Sequence, residues 1–299
     1  MGALGKAGLM AMGVTLGWRS GVASDPGLLR SNNEDRVYAD DAAGIFLVVD
    51  GMGGRAAGEL AAQTAIEIIP RQLERPEGDI AACVQQAITA ANNEIHRMAE
   101  ERDEWHGMAC VLTVAVAHED QITVGHVGDT RLYLVWNGTL RKLTSDHSPV
   151  GEMEDQGELS EAAAMEHPER NQVFRDVGSR PHNADDGEFI QVKSFPFRPS
   201  AAFLLCTDGL SDMLTSVEIN AIVQQYCGDP VAIADELVAA ANQMGGSDNI
   251  SVVFVAGPEF VGSDAESNRV RHATTQVTKS QSVWRRLLNR VATLFAARD

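Results

Sequence analysis

Two strongly apolar runs in this chain end alike. Ile45–Val49 leads straight into Asp50-Gly51, and Phe203–Cys206 leads through Thr207 into Asp208-Gly209. A buried strand fixes a carboxylate carried at its end, and the glycine lets a further ligand, a water or a phosphate come close to the backbone. A single Asp-Gly pair after a strand is also an ordinary turn. The repetition, joined to further acidic clusters, points to a hydrolase that holds divalent cations.

Those further clusters are Glu34-Asp35 in Arg30-Ser-Asn-Asn-Glu-Asp, Asp129 in Val127-Gly-Asp-Thr, and Asp248-Asn249 in Gly246-Ser-Asp-Asn-Ile. Each sits where a polar turn meets an apolar strand, with Asn side chains and backbone carbonyls beside the acids. Taken singly they have plain readings: turn carboxylates at 34–35, a tight turn at Asp129, an Asx turn at Asp248, a surface arginine at Arg30. No cysteine pair and no closely spaced histidine pair accompanies them. Oxygen donors without thiolate or imidazole suit Mg²⁺ or Mn²⁺ better than Zn²⁺. Carboxylates brought together without a cation would repel one another, so ions at their centre are the economical explanation.

The ordered set Arg30…Asn33-Glu34-Asp35, Val49-Asp50-Gly51-Met52-Gly53-Gly54, Gly128-Asp129-Thr130-Arg131, Leu143-Thr144…Asp146-His147-Ser148, Thr207-Asp208-Gly209-Leu210-Ser211-Asp212 and Asp248-Asn249 resembles the PP2C (PPM) family of metal-dependent serine/threonine phosphatases, in its bacterial form. The likeness runs from about Gly17 to Ala256. It implies an α+β fold, a four-layer α-β-β-α sandwich of two antiparallel sheets flanked by helices, with the site in a cleft at one end. It also implies two Mn²⁺ or Mg²⁺ ions that activate a water for hydrolysis of phosphoserine and phosphothreonine in proteins. By the same resemblance Asp50 bridges the two metals and the Gly51 carbonyl is a ligand. Glu34 would hold one metal, Asp208 and Asp248 the other, and Asp129 with Asp208 a third, weaker ion. Asp35 would orient a metal-bound water, and Arg30 would hold the substrate phosphate through its planar fork.

Composition agrees with this class. About 240 residues suit one layered α/β domain. The formal charge of −18 argues against nucleic acid as a partner. Cys83, Cys110, Cys206 and Cys227 have no framework spacing and read as free thiols of a reducing cytosol.

Periodicity predicts strands at Trp18–Ala23, Val37–Ala39, Ile45–Val49, Met108–Ala117, Ile122–Val127, Leu132–Trp136, Thr139–Leu143, Phe189–Phe195, Ala201–Cys206 and Ile250–Val255. Helices are predicted over Ala57–Leu73, Asp79–Arg102 with Asp79 as cap, Ser216–Tyr226 and Val231–Gln243. Asn137-Gly138 signals a hairpin. Asp212 reads as a helix-start residue and His147 as a structural histidine.

Two departures from the family pattern stand out. Some members carry a histidine after the first Asp-Gly pair as a general acid, and here that position is Met52. Met108-Ala-Cys replaces small hydroxyl residues in its strand. The acidic segment Ser148–Gly187 matches the family's flap, a mobile insertion beside the site.

The remaining segments are expected as an N-terminal extension (1–16), a phosphatase domain (17–257), a linker (258–282) and a basic amphipathic helix (283–299). From Arg269 to Arg298 there are seven basic residues and no acidic ones. That pattern fits contact with anionic lipid or with a partner's groove through residues 283–298, on an otherwise cytoplasmic protein. The alternative is a helix packed back on the acidic catalytic domain. The expected partners are phosphorylated proteins that are targets of a Ser/Thr kinase. The rival reading of the whole chain is a catalytically inactive family member that binds a phosphoprotein or another partner.

Overall fold

The computed structural model describes residues 17–53, 57–76 and 78–263. The expected N-terminal extension, the basic helix and the linker beyond residue 263 lie outside the described residues. In chain order, β1 (Arg19–Asp25), β2 (Arg36–Asp40) and β3 (Ile45–Met52) lead to two long helices, α1 (Ala57–Leu73) and α2 (Ile80–Glu101). The next strands are β4 (Ala109–His118), β5 (Gln121–Val127), β6 (Arg131–Trp136) and β7 (Thr139–Lys142). Short helices α3 (Pro149–Asp155) and α4 (Glu161–Met165) occupy the acidic segment before β8 (Gln191–Pro196) and β9 (Ala202–Cys206). A one-turn helix α5 (Asp208–Ser211), then α6 (Ser216–Val223), α7 (Pro230–Gln243) and β10 (Ile250–Ala256) complete the domain.

Local chemistry accounts for most of these boundaries. The Asp79 side chain accepts a hydrogen bond from the Ala81 amide at 3.3 Å, capping α2. Thr215 and Glu218 form a reciprocal capping box at the start of α6. Asn137 and Gly138 both have positive φ, 50° and 73°, as a two-residue hairpin with the twist of its strands requires.

The strands form two antiparallel five-stranded sheets, ordered β1-β10-β9-β6-β7 and β2-β3-β4-β5-β8. Alternate residues of each central strand serve different layers. Ile45, Leu47 and Val49 pack under α1 and α2, while Phe46 and Val48 face the other sheet. Phe203 and Leu205 of β9, with Val253 and Val255 of β10, meet them from the opposite side. Leu204, Cys206, Val252 and Phe254 turn instead toward the core shared with α5–α7. Phe203 is fully buried between the sheets and meets Phe46 and Phe197 edge-on, at centroid distances of 5.4 and 5.3 Å. Cys110, Cys206 and Cys227 are free thiols.

The structure corrects two expectations. Residues 258–263, expected as the start of a linker, belong to the packed domain. Phe260 is buried against Tyr226 and Phe254, and Gly262 donates to the Tyr226 carbonyl at 3.1 Å. Asp212 does not start a helix. Its amide donates to the Asp208 carbonyl at 2.7 Å, closing α5, and α6 begins only at Ser216 under its Thr215 cap.

Because Phe203 fills the layer between the sheets, Phe203→Ala should lower unfolding free energy by about 3–5 kcal/mol in denaturant titration. A loss under about 1 kcal/mol would mean that this layer closes around the gap.

Candidate functional site

All the acidic segments singled out above arrive at one end of the sandwich. The C-terminal ends of β3, β5 and β9 and the N-terminal ends of β2, β6 and β10 point the same way, as antiparallel neighbours do when their connections alternate. A cleft of about 310 Å³ opens there. Its walls carry Arg30, Glu34, Asp50, Gly51, Asp129, Asp208 and Asp248. Of the residues named from sequence, Asp35 alone is not on the wall. It is buried beneath, and its Oδ2 accepts from the Thr207 hydroxyl at 2.9 Å.

The two Asp-Gly pairs are not turns. Asp50 and Gly51 lie within β3, opposite Val111 and Cys110 of β4. Asp208 and Gly209 form the first residues of α5. In both places the glycine allows close approach. A Cβ on Gly51 would stand 2.2 Å from the Gly58 carbonyl oxygen and 2.7 Å from that of Glu34. A Cβ on Gly209 would stand 1.9 Å from the Asn249 carbonyl oxygen. Both glycines therefore let neighbouring segments close on the cleft.

Asn249 is the staple of the site. Its Oδ1 accepts from the Glu34 amide at 2.8 Å, and its Nδ2 donates to the carbonyls of Pro26 and Asn32 at 3.0 and 2.8 Å. One side chain thus joins the loop before β2 to the start of β10. Arg36 secures the same loop from below, donating to the carbonyls of Asn33 and Asp35 and to Glu59. The Thr207 hydroxyl, besides donating to Asp35, accepts from the Ser251 amide at 3.0 Å. At the rim Arg30 Nη2 meets Asp248 Oδ2 at 2.7 Å.

The Asp129 turn is held by His147. Its Nδ1 accepts from the Gly128 amide at 3.1 Å, and its own amide donates to the Gly128 carbonyl at 2.7 Å. Burial lowers the imidazole pKa to about 3, so the ring stays neutral and keeps Nδ1 as an acceptor. That is a structural role, in accord with the sequence reading.

Electrostatically the site is loaded. Burial, reinforced by the neighbouring acids, raises the carboxyls of Asp50 and Asp208 well above the usual carboxylate range. Burial likewise pushes Asp35 and Asp129 up to about 7. Asp208 Oδ1 and Asp35 Oδ1 are buried with no hydrogen-bond partner. Among the described residues no three His, Cys, Asp or Glu side chains are already gathered around one ion position. The wall instead offers carboxylate and carbonyl oxygens from separate elements, with no thiolate or imidazole. Unpartnered acid oxygens and an oxygen-only donor set fit hard divalent cations of the Mg²⁺ or Mn²⁺ kind.

Several wall residues had no distinct signal in the sequence. Asn171 reaches the cleft from the acidic segment. That segment is tied to the core by Arg170 Nε to Asp212 Oδ2 at 2.9 Å, and by Glu161, whose carboxylate accepts from the Ser216 amide and hydroxyl. Asn249 was visible beside Asp248, but its stapling role follows only from pairing over more than 200 positions.

Known proteins share this sequence pattern and fold. The sequence profile described as Protein phosphatase 2C matches residues 30–240. The chain is 34% identical over 242 residues to the serine/threonine phosphatase stp of Listeria innocua serovar 6a, across 78% of this chain and 93% of that protein. It is 34% identical over 241 residues to the serine/threonine protein phosphatase PstP of Mycobacterium tuberculosis, across 80% of this chain but only 45% of that protein. The crystal structure of Mycobacterium tuberculosis PstP/Ppp superposes with a TM-score of 0.72 at 32% identity, covering 80% of this chain and 98% of that one. A structure of the PstP catalytic domain in complex with two manganese ions gives 0.71 at 31% identity, covering 80% and 97%. Profile, relatives and fold agree, and the chain belongs to the protein phosphatase 2C family.

Proposed function

We propose that this chain is a metal-dependent protein phosphatase that hydrolyses phosphoserine and phosphothreonine in proteins, opposing a Ser/Thr kinase in the cytoplasm. The observation that carries the reading is the convergence of Glu34, Asp50, Asp129, Asp208 and Asp248 on one cleft with Arg30 at its rim. The manganese ions of the PstP catalytic domain, a relative of the same fold, support it.

Asp50 and the Gly51 carbonyl would be ligands to the cations, Glu34 would complete the site of one of them, and Asp208 and Asp248 that of the other. Asp129, with Asp208, would hold a third and weaker ion. Bound there, divalent cations supply positive charge against the phosphoryl oxygens and acidify a water to act as nucleophile. Arg30 grips the phosphoryl group, exchanging its exposed pairing with Asp248 for phosphate oxygens that fit its fork. Asp35, held by Thr207 below the wall, orients the attacking water through the layer above it. Met52 lines the cleft where a protonating residue could stand and has no proton to give, so the leaving alkoxide takes its proton from water. The acidic segment 148–187 serves as a flap over the substrate, with Asn171 as its nearest contact to the cleft.

Phosphate release from a phosphothreonine peptide should require Mn²⁺ or Mg²⁺ and stop on chelation. Asp208→Ala should lower kcat by about 10²-fold or more, the scale of losing a principal electrostatic contributor. Metal-independent turnover, or an unimpaired Asp208→Ala variant, would refute the reading.

The basic stretch within residues 264–299 is proposed as an address rather than a part of the site. Among the described residues no helix is long and apolar enough to cross a membrane. Since Phe260 belongs to the core, the clean truncation ends at Ser263. The chain ending there should keep its peptide turnover but no longer sediment with vesicles rich in anionic lipid. Equal sedimentation of both forms would remove lipid as the tail's target.

A further inference from the structure

We infer that Leu28 and Leu29 form a ledge that receives an apolar side chain of the substrate polypeptide next to its phosphorylated residue; the inference rests on the phosphatase reading above. Leu28 is 65% exposed and Leu29 75%. The two leucines belong to none of the three core clusters. They immediately precede Arg30, and Arg30, Ser31 and Asn32 line the cleft.

The leucines are exposed on a loop that is tied down. The Gly27 amide donates to Asp25 Oδ1 at 2.9 Å, and the Leu28 amide to the Gly246 carbonyl at 2.7 Å. Asn249 binds the carbonyls of Pro26 and Asn32 on either side of the pair. Asn242 Nδ2 adds a bond to Asp25 Oδ1 at 3.1 Å. Gly27 has φ of +76°, and a Cβ there would stand 2.1 Å from the Asp248 carbonyl oxygen, so the loop is clamped onto the segment that leads into β10. The same clamp brings Leu28 over Gly246. A loose loop could turn its leucines inward. This one presents them to solvent in a fixed position, as a binding surface that has already met its ordering cost would.

Position identifies the occupant. A polypeptide whose phosphate reaches Arg30 must cross the rim on its way into the cleft. An extended chain advances about 3.3–3.6 Å per residue, so the residue beside Arg30 faces substrate positions one or two removed from the phosphorylated one. The cleft walls are acidic, and the rim loop from Pro26 to Asn33 carries no charge except Arg30. Substrate selection here is therefore by apolar contact.

Two phosphothreonine peptides test this, one with leucine and one with serine on both sides of the phosphothreonine, with para-nitrophenyl phosphate as a small substrate. Wild type should favour the leucine peptide by about tenfold in kcat/KM, chiefly through KM. The double variant Leu28→Ser/Leu29→Ser should bring that ratio close to one, while its thermal unfolding matches wild type. An unchanged ratio in the variant, or no preference in wild type that still hydrolyses all three substrates, overturns the ledge and leaves the phosphatase reading standing. No turnover of any of the three by folded, Mn²⁺-supplied wild type overturns both. Loss of self-association by the variant in sedimentation velocity, with the peptide ratio unchanged, would assign the patch to a second copy of the chain and likewise overturn the ledge.

Discussion

Like charge is the constraint around which this domain is built. Asp50, Asp129, Asp208 and Asp248 come to one cleft, and besides burial the charges of Asp208, Asp129 and Asp248 all raise the proton affinity of Asp50. Nothing in that group of acids holds itself together. Their positions must be imposed by backbone that has no freedom to yield, and the two sheets supply it. Each central strand is packed on both faces, by helices on one side and by the other sheet on the second. Packing of crystalline density transmits strain instead of absorbing it. A carboxylate at the end of such a strand therefore stays where repulsion alone would not leave it.

The clamps around the acids are mostly neutral dipoles. Asn249 joins three backbone groups of the loop from Pro26 to Glu34, and Thr207 links Asp35 to the amide of Ser251. Arg36, below the loop, and Arg30, at the rim, bring positive charge to that loop through their ion pairs with Glu59 and Asp248. The reason is chemical. A lysine or arginine buried among the carboxylates would neutralise them permanently and compete with any cation for the same oxygens. Amide and hydroxyl groups fix geometry without satisfying charge. Two buried acid oxygens, on Asp35 and Asp208, consequently remain without partners.

Much of this was legible in the sequence because its strongest signals are local. Ile45–Val49 and Phe203–Cys206 are apolar at every position, which identified buried strands before any pairing was known. Ala57–Leu73 has the same bounds in sequence and structure, since its apolar period stops where Glu74-Arg75-Pro76 begins. The motif residues converge because antiparallel connections return the chain to the same end. Other features were not legible. The pairing of β1 with β10 joins Arg19 to Ala256, a separation that no local pattern encodes. The same holds for Asn249, whose partners lie more than 200 residues away. Asp212 looked like a helix start because a helix does follow it, but Thr215 with Glu218 makes the stronger cap. Phe260 stood in a polar context that reads as linker, and only the pocket between Tyr226 and Phe254 reveals where its ring goes.

Arg30 shows how such a site can be both organised and available. Its bond to Asp248 is short, but the guanidinium is 54% exposed, and an ion pair with that much solvent around it contributes only about 0–1 kcal/mol. In the proposed role, exchange for a phosphate would therefore cost little, while the attraction of Asp248, and more weakly of Asp208 and Asp50, keeps the side chain aimed at the cleft. A buried pair would have been too strong to open, and an unpaired arginine would have spent its time in solvent. The contrast with Arg131 makes the point. That side chain is only 11% exposed, bonded to Asp146 through Nε and Nη2 and to Glu154 as well, and ties β6 to α3. Both arginines meet carboxylates at short range. Solvent exposure decides that one is architecture and the other is free to bind.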